Sequence, residues 1–167
     1  MLFLSIFIGI SSPSFTDSKP SPPAAELTPQ QKADKVAQFF ATFERRHERP
    51  AVELIKKLTG EINATEKSLV AISVKSKQYA QLQEKLLQAK KDLRASELIL
   101  KWGELNRAYT KAAYANDDTH IDEMAQKLAL VNQEYMQLTK KVIYDLEAEK
   151  AMDVAEAKLR KAPAAKR

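Results

Sequence analysis

The chain has 167 residues, 44% of them hydrophobic and 29% charged, with three glycines, no cysteine and a formal net charge of +5. That length holds one ordinary domain with flanking segments, and the lack of cysteine excludes disulfides, thiolate metal sites and cysteine nucleophiles. Abundant Ala, Leu, Lys, Glu and Gln, with scattered β-branched and aromatic residues, exclude a sheet protein and predict an all-α fold.

Residues 1–16 open with an apolar run, Leu2 to Ile10, of the length of a signal-peptide core and too short to span a bilayer. Small residues follow at Ser11, Ser12 and Ser14, where a signal peptidase would cut, although no Lys or Arg precedes the run. Secretion, or export to the periplasm, is expected over a cytoplasmic location; a misassigned start and an uncleaved anchor are the alternatives. Residues 17–28 are a linker: Asp17 to Glu26 holds three prolines among small polar residues, a composition that cannot bury enough apolar surface to order itself.

A first helix is expected over 29–48. Thr28 is its N-cap, Pro29 its first helical position and Gln31 the partner of a capping box. Val36, Phe39, Phe40 and Phe43 fall on one side, and Arg49-Pro50 is expected to end or kink it, because proline disfavours helical geometry at the preceding residue.

A second helix is expected over 50–115. Leu58, Ile62, Thr65, Leu69, Ile72, Ser76, Tyr79, Leu82, Leu86, Ala89, Leu93, Ser96, Leu100 and Gly103 recur at alternating steps of four and three, with one stammer at Tyr79 to Leu82. Continuous, it would be about 100 Å long, with Thr59-Gly60 as its weak point. The juxtaposed Trp102-Gly103 predicts the close approach of another helix, glycine providing the clearance. Asn63-Ala64-Thr65 matches the N-glycosylation pattern, but Thr65 falls on the seam and such a match is common by chance.

Asn116 to Thr119 forms a polar turn in which Asp118 or Thr119 would cap a third helix, over 119–161. Ile121, Met124, Leu128, Val131, Tyr135, Leu138 and Val142 give it the most regular periodicity in the chain, thinning through Leu146 and Met152 towards a basic tail at 162–167. The expected architecture is a long antiparallel helical hairpin, coiled-coil-like, with an additional N-terminal helix. From Pro29 to Ala115 there are 17 basic and 10 acidic residues, and from Thr119 to Ala157 there are 4 and 8, so the arms attract each other. Because the third helix is the shorter, part of the second must find another surface. A homo-oligomer, with a dimer favoured, is therefore expected.

No catalytic constellation can be assembled from three isolated glycines and two histidines 73 residues apart, His47 and His120, both expected at helix ends and solvated. Asp117, Asp118, Asp122 and Glu123 lack the glycine and alternating ligands of a calcium loop, and helix capping accounts for them. No enzyme, cofactor or metal site is expected. Trp102 and Tyr109, with Tyr79, Tyr114, Tyr135 and Tyr144, crowd the distal hairpin; core packing is their default role. Trp102, Tyr109 and Tyr114 are nevertheless the candidates for a partner-binding face. Lys85, Lys90, Lys91 and Arg94 are what a nucleic-acid surface would use, which the acidic partner arm makes the weakest reading.

Ser76-Lys77-Gln78-Tyr79, Glu97-Leu98-Ile99 through Trp102 to Leu105 and Tyr109, and Leu146 to Met152 together resemble the YlbF/YmcA/YheA family of small bacterial helical proteins. The resemblance covers Ser76 to Met152. It implies an oligomerising helical hairpin, without an active site, that binds other proteins, as members influencing competence, biofilm formation and RNA processing do. The chain departs from that family in its leader, in its helix at 29–48, and in Lys141, where members often carry proline. A non-enzymatic adaptor or regulator is the function expected; the rivals are an exported coiled-coil chaperone or envelope spacer, similar to the Skp/OmpH chaperones, and a nucleic-acid binder.

Overall fold

The structure, a computed structural model, describes residues 27–161, with backbone alone for 156–161. The leader at 1–16, most of the linker and the tail at 162–167 lie outside the described residues. Within them the fold is all-α: α1 (Pro29–Phe43), a π-helical turn (Glu44–Glu48), α2 (Arg49–Val70), α3 (Lys77–Ala115), α4 (Asp118–Thr139) and α5 (Leu146–Lys161).

The capping box at α1 forms as its residues dictate. The Thr28 hydroxyl accepts from the Gln31 backbone N–H at 3.2 Å, and the Gln31 side chain accepts from the Thr28 N–H at 2.9 Å. Pro50, by contrast, does not end the helix. α1 runs through the π turn directly into α2, with the Arg49 N–H bonded to the Glu44 carbonyl. Proline has no N–H to donate, and its ring would press on the carbonyl four residues earlier, a conflict that a wider turn relieves. The extra residue also corrects the register. Phe39, Phe43, His47 and Ala51 recur every four residues, a spacing that drifts around a regular helix and that one inserted residue brings back to one face.

The expected helix over 50–115 is two helices. It breaks not at Gly60, whose helix continues, but at 71–76, where the chain reverses and Ser76 caps α3 by accepting from the Tyr79 N–H at 3.1 Å. Val70, Ile72 and Val74 are β-branched and Ser73 and Ser76 favour caps, so this segment holds a helix weakly. Reversal lets the α2 seam meet the α3 seam within one chain: Leu58 and Ile62 pack with Ala89, flanked by Leu86 and Leu93. The uncovered stretch that led to the expectation of an oligomer is thereby covered from within.

Asp117, rather than Asp118 or Thr119, caps α4. Asn116 closes α3 in the left-handed conformation (φ 54°), and the Asp117 carboxylate accepts from the His120 N–H at 3.2 Å. The expected helix over 119–161 is also broken. Lys140 is left-handed (φ 61°), residues 140–145 are non-helical, and Asp145 starts α5 by accepting from the N–H groups of Glu147 and Ala148. The break carries Ile143 and Tyr144 into the core. Ile121, Met124, Leu128, Val131, Tyr135 and Leu138 all face inward, but Val142 falls within the break and is exposed.

α3 is the spine. Its first half pairs with α2 as a two-helix arm, while its second half lies between the α1 to π-turn segment on one side and α4 on the other. That second half is accordingly buried on more than one face: Ser96 and Gly103 on the seam, and Leu98, Trp102 and Leu105 beside it.

Candidate functional site

The densest meeting of side chains lies where the π turn, α3 and the 140–145 segment converge. Phe43, with Leu98, Trp102 and Ile143, forms the buried centre, and Phe39, Leu128, Val131, Tyr135, Leu138 and Tyr144 pack around it. The Trp102 ring lies 4.8 Å from Phe43 and is stacked on Tyr144 at 6.0 Å. Phe43 also stacks on His47 at 4.8 Å.

An ionic network runs along one edge of this aromatic cluster. Glu149, from the first turn of α5, accepts from Arg46 Nη1 at 2.7 Å and lies 2.7 Å from His47 Nε2, all on side chains largely withdrawn from water. Arg46 also reaches Asp153 at 2.7 Å. On the opposite edge, Arg107 of α3 grips Glu48 with two hydrogen bonds of 2.6 and 2.5 Å and lies over the Phe40 ring. The π turn therefore sits between α5 and α3 with a charged side chain tied to each. Buried Asn106 donates to the Trp102 carbonyl at 3.1 Å.

These pairs have a structural chemistry. Charges withdrawn from water persist only when partnered, and each of these joins segments distant in sequence. His47, expected to be solvated, is instead half-buried against Phe43 and Glu149; His120 is exposed and paired with the capping Asp117 at 2.7 Å. The sequence had one signal for the network: Arg46 and His47 follow Phe43, in a segment placed at the end of an aromatic face. Its partner Glu149 stood where the apolar stripe of the third expected helix thins.

Trp102, Tyr109 and Tyr114 are not brought together into one surface. Trp102 is only 6% exposed, Tyr109 is half-buried, and Tyr114 is 58% exposed near the α3 terminus. Trp102 thus belongs to the core, where its large ring fills the space that Gly103 lets the π turn approach, and a partner cannot reach it. The four residues of a nucleic-acid face divide similarly, for Lys90 pairs with Glu66 at 2.8 Å and Arg94 with Glu134 at 2.6 Å. The attraction between arms of opposite sign is realised at Arg94 and Glu134, which join α3 to α4.

An open apolar groove lies between α1 and α3, lined by Val36, Phe39, Phe40, Asn106 and Thr110, with Lys35 at its rim. Among the described residues, no three His, Asp or Glu side chains are gathered where a metal could bind. No described helix is long and apolar enough to cross a membrane.

Among the described residues, twelve large apolar side chains are exposed, and six of them lie from the middle of α4 into α5: Leu130, Met136, Val142, Leu146, Met152 and Val154. Comparison of the chain with protein-family models, with curated proteins and with solved structures finds no significant match.

Proposed function

We propose that this protein is a non-catalytic helical adaptor that acts by binding another protein, as a homodimer, through the outer surface of α4 and α5. The observation that carries this reading is the run of exposed apolar side chains from Leu130 to Val154 beside a core whose buried charges are already paired. Met136 and Met152 within that run have unbranched side chains that adapt to varied partners. The YlbF-like resemblance of Ser76 to Met152 implies the same kind of function.

The experiment replaces Met136, Leu146 and Met152 together with serine. Circular dichroism and Trp102 fluorescence should be unchanged, while the mass measured by light scattering falls to one chain and cross-links to the cellular partner disappear. A wild-type chain that is monomeric and whose cross-links survive the substitutions defeats the proposal. The second reading, an exported chaperone or spacer, is favoured by the projecting α2–α3 arm; it requires a mature N-terminus near Asp17, which mass spectrometry of the native protein reads directly.

A further inference from the structure

The far end of the α2–α3 arm carries a feature that the adaptor reading does not use. The arm reverses at 71–76, and the two valines at its end are bare, Val70 at 89% and Val74 at 72% exposure. Both flank Ile72, itself partly exposed. Around them stand Lys67, Lys75 and Lys77, and between Glu66 and Glu84 the sequence contains no acidic residue. Glu66 itself is engaged by Lys90.

From these observations we infer that the arm tip docks on an anionic lipid surface, its valines entering the headgroup boundary and its lysines resting among the phosphates. Interfacial binding of this kind combines a small apolar insertion with cationic attraction to anionic lipid. The residue types fit a bilayer better than a protein pocket. Protein hot spots are built from Trp, Tyr and Arg, whereas this tip offers only short β-branched side chains. Its cations are all lysine, a flexible point charge suited to mobile headgroups, with no arginine to hold a fixed carboxylate in two-point geometry. The placement fits as well. From Leu54 to Val70 the arm extends about 25 Å, so the tip can touch a membrane while α4 and α5 remain clear of it.

The test uses the full chain, whose lack of cysteine allows one reporter at a time. Val74→Cys at the tip and Leu87→Cys on the arm flank are each labelled with a polarity-sensitive fluorophore and mixed with vesicles of neutral phosphatidylcholine or of phosphatidylcholine with phosphatidylglycerol. The tip label should brighten and shift to the blue with anionic vesicles alone, reversibly in high salt, while the flank label stays unchanged. In an unlabelled chain, Val70→Asp with Val74→Asp should weaken anionic-vesicle binding at least tenfold, with helicity retained because both sites are exposed. A tip label indifferent to anionic vesicles overturns the proposal, even if the chain sediments with them through another segment, and leaves a protein as the tip's occupant. Equal response to neutral vesicles overturns it too.

Discussion

Gly103 of α3 faces the Glu48 carboxylate so closely that a Cβ on residue 103 would overlap it, and that same Cβ would stand 3.1 Å from Cε1 of Phe43. Glu48 is the end of a flexible side chain and yields only by loosening its ion pair, whereas the Phe43 ring has little room to move. Glu48 is held by the two-point grip of Arg107, and Phe43 is 1% exposed. The absent side chain at 103 is what lets the π turn settle against α3.

Gly103→Ala should therefore destabilise the protein by about 1–2 kcal/mol, the overpacking strain exceeding the gain in helix propensity. Gly60 is the control within the same fold. Nothing lies within 4 Å of a Cβ there, so Gly60→Ala should stabilise by about 0.5–1 kcal/mol. Urea midpoints moving in opposite directions would bear this out; two shifts of the same sign would not.

Among the described residues, Phe43 is the most deeply buried large side chain, and it touches Trp102, the only tryptophan of the sequence. Phe43→Ala should cost about 3–5 kcal/mol. The emission of Trp102 should be blue-shifted and poorly quenched by iodide in the native protein, then red-shift in step with loss of helix on unfolding. A native emission maximum like that of free tryptophan would contradict the buried placement.

Glu149→Gln keeps the shape of the side chain and removes the charge that Arg46 and His47 share, at an expected cost of about 2 kcal/mol. The loss should be local. Amides of α5 should exchange with deuterium faster, while those of the α2–α3 arm keep their protection. Equal exchange in α5 of both proteins would mean that apolar contacts alone hold it.

The two ends of the pH scale test different contacts. Burial, then the nearby Glu149 and Asp153 carboxylates, raise the Tyr144 phenol above its ordinary value of 10.0 against the opposing Arg46. Its contribution is therefore complete below pH 10.0 and lost as pH rises through the higher folded value, and Tyr144→Phe should remove a phenolate step above pH 10.0 in an absorbance titration. At the acid end, the hydrogen bond from Arg94 lowers Glu134 below its ordinary 4.5. That contribution is present above 4.5 and disappears as pH falls through the lower folded value. For this exposed pair a double-mutant cycle at pH 7 should give a coupling of about 0.5 kcal/mol or less.

Much of the fold was legible as composition and period. Every seam position from Leu58 to Gly103 is buried or half-buried, as is every one from Ile121 to Leu138. The α1 capping box was readable because it joins residues three apart, and Trp102 beside Gly103 signalled a close approach, although the partners that make it, Phe43 and Glu48, lie far off in sequence. The partner face was not. Trp102 and Tyr114 are both aromatic side chains with a polar handle, and only packing by the distant Phe43 and Tyr144 distinguishes a core residue from a surface one.

The sequence by itself determined that this chain is helical and which stripes of it are buried, since a 3.6-residue period and side-chain preference are local properties. Only the tertiary structure decided where the helices stop. A seam of regular steps is satisfied equally by a straight rod meeting a second chain and by a reversal that meets itself, and no glycine or proline between 61 and 102 separates the two. The reversal at 71–76 and the break at 140–145 follow from contacts made far along the chain, Leu58 with Ala89 and Glu149 with Arg46, and those energies exist only once the fold has brought the residues together.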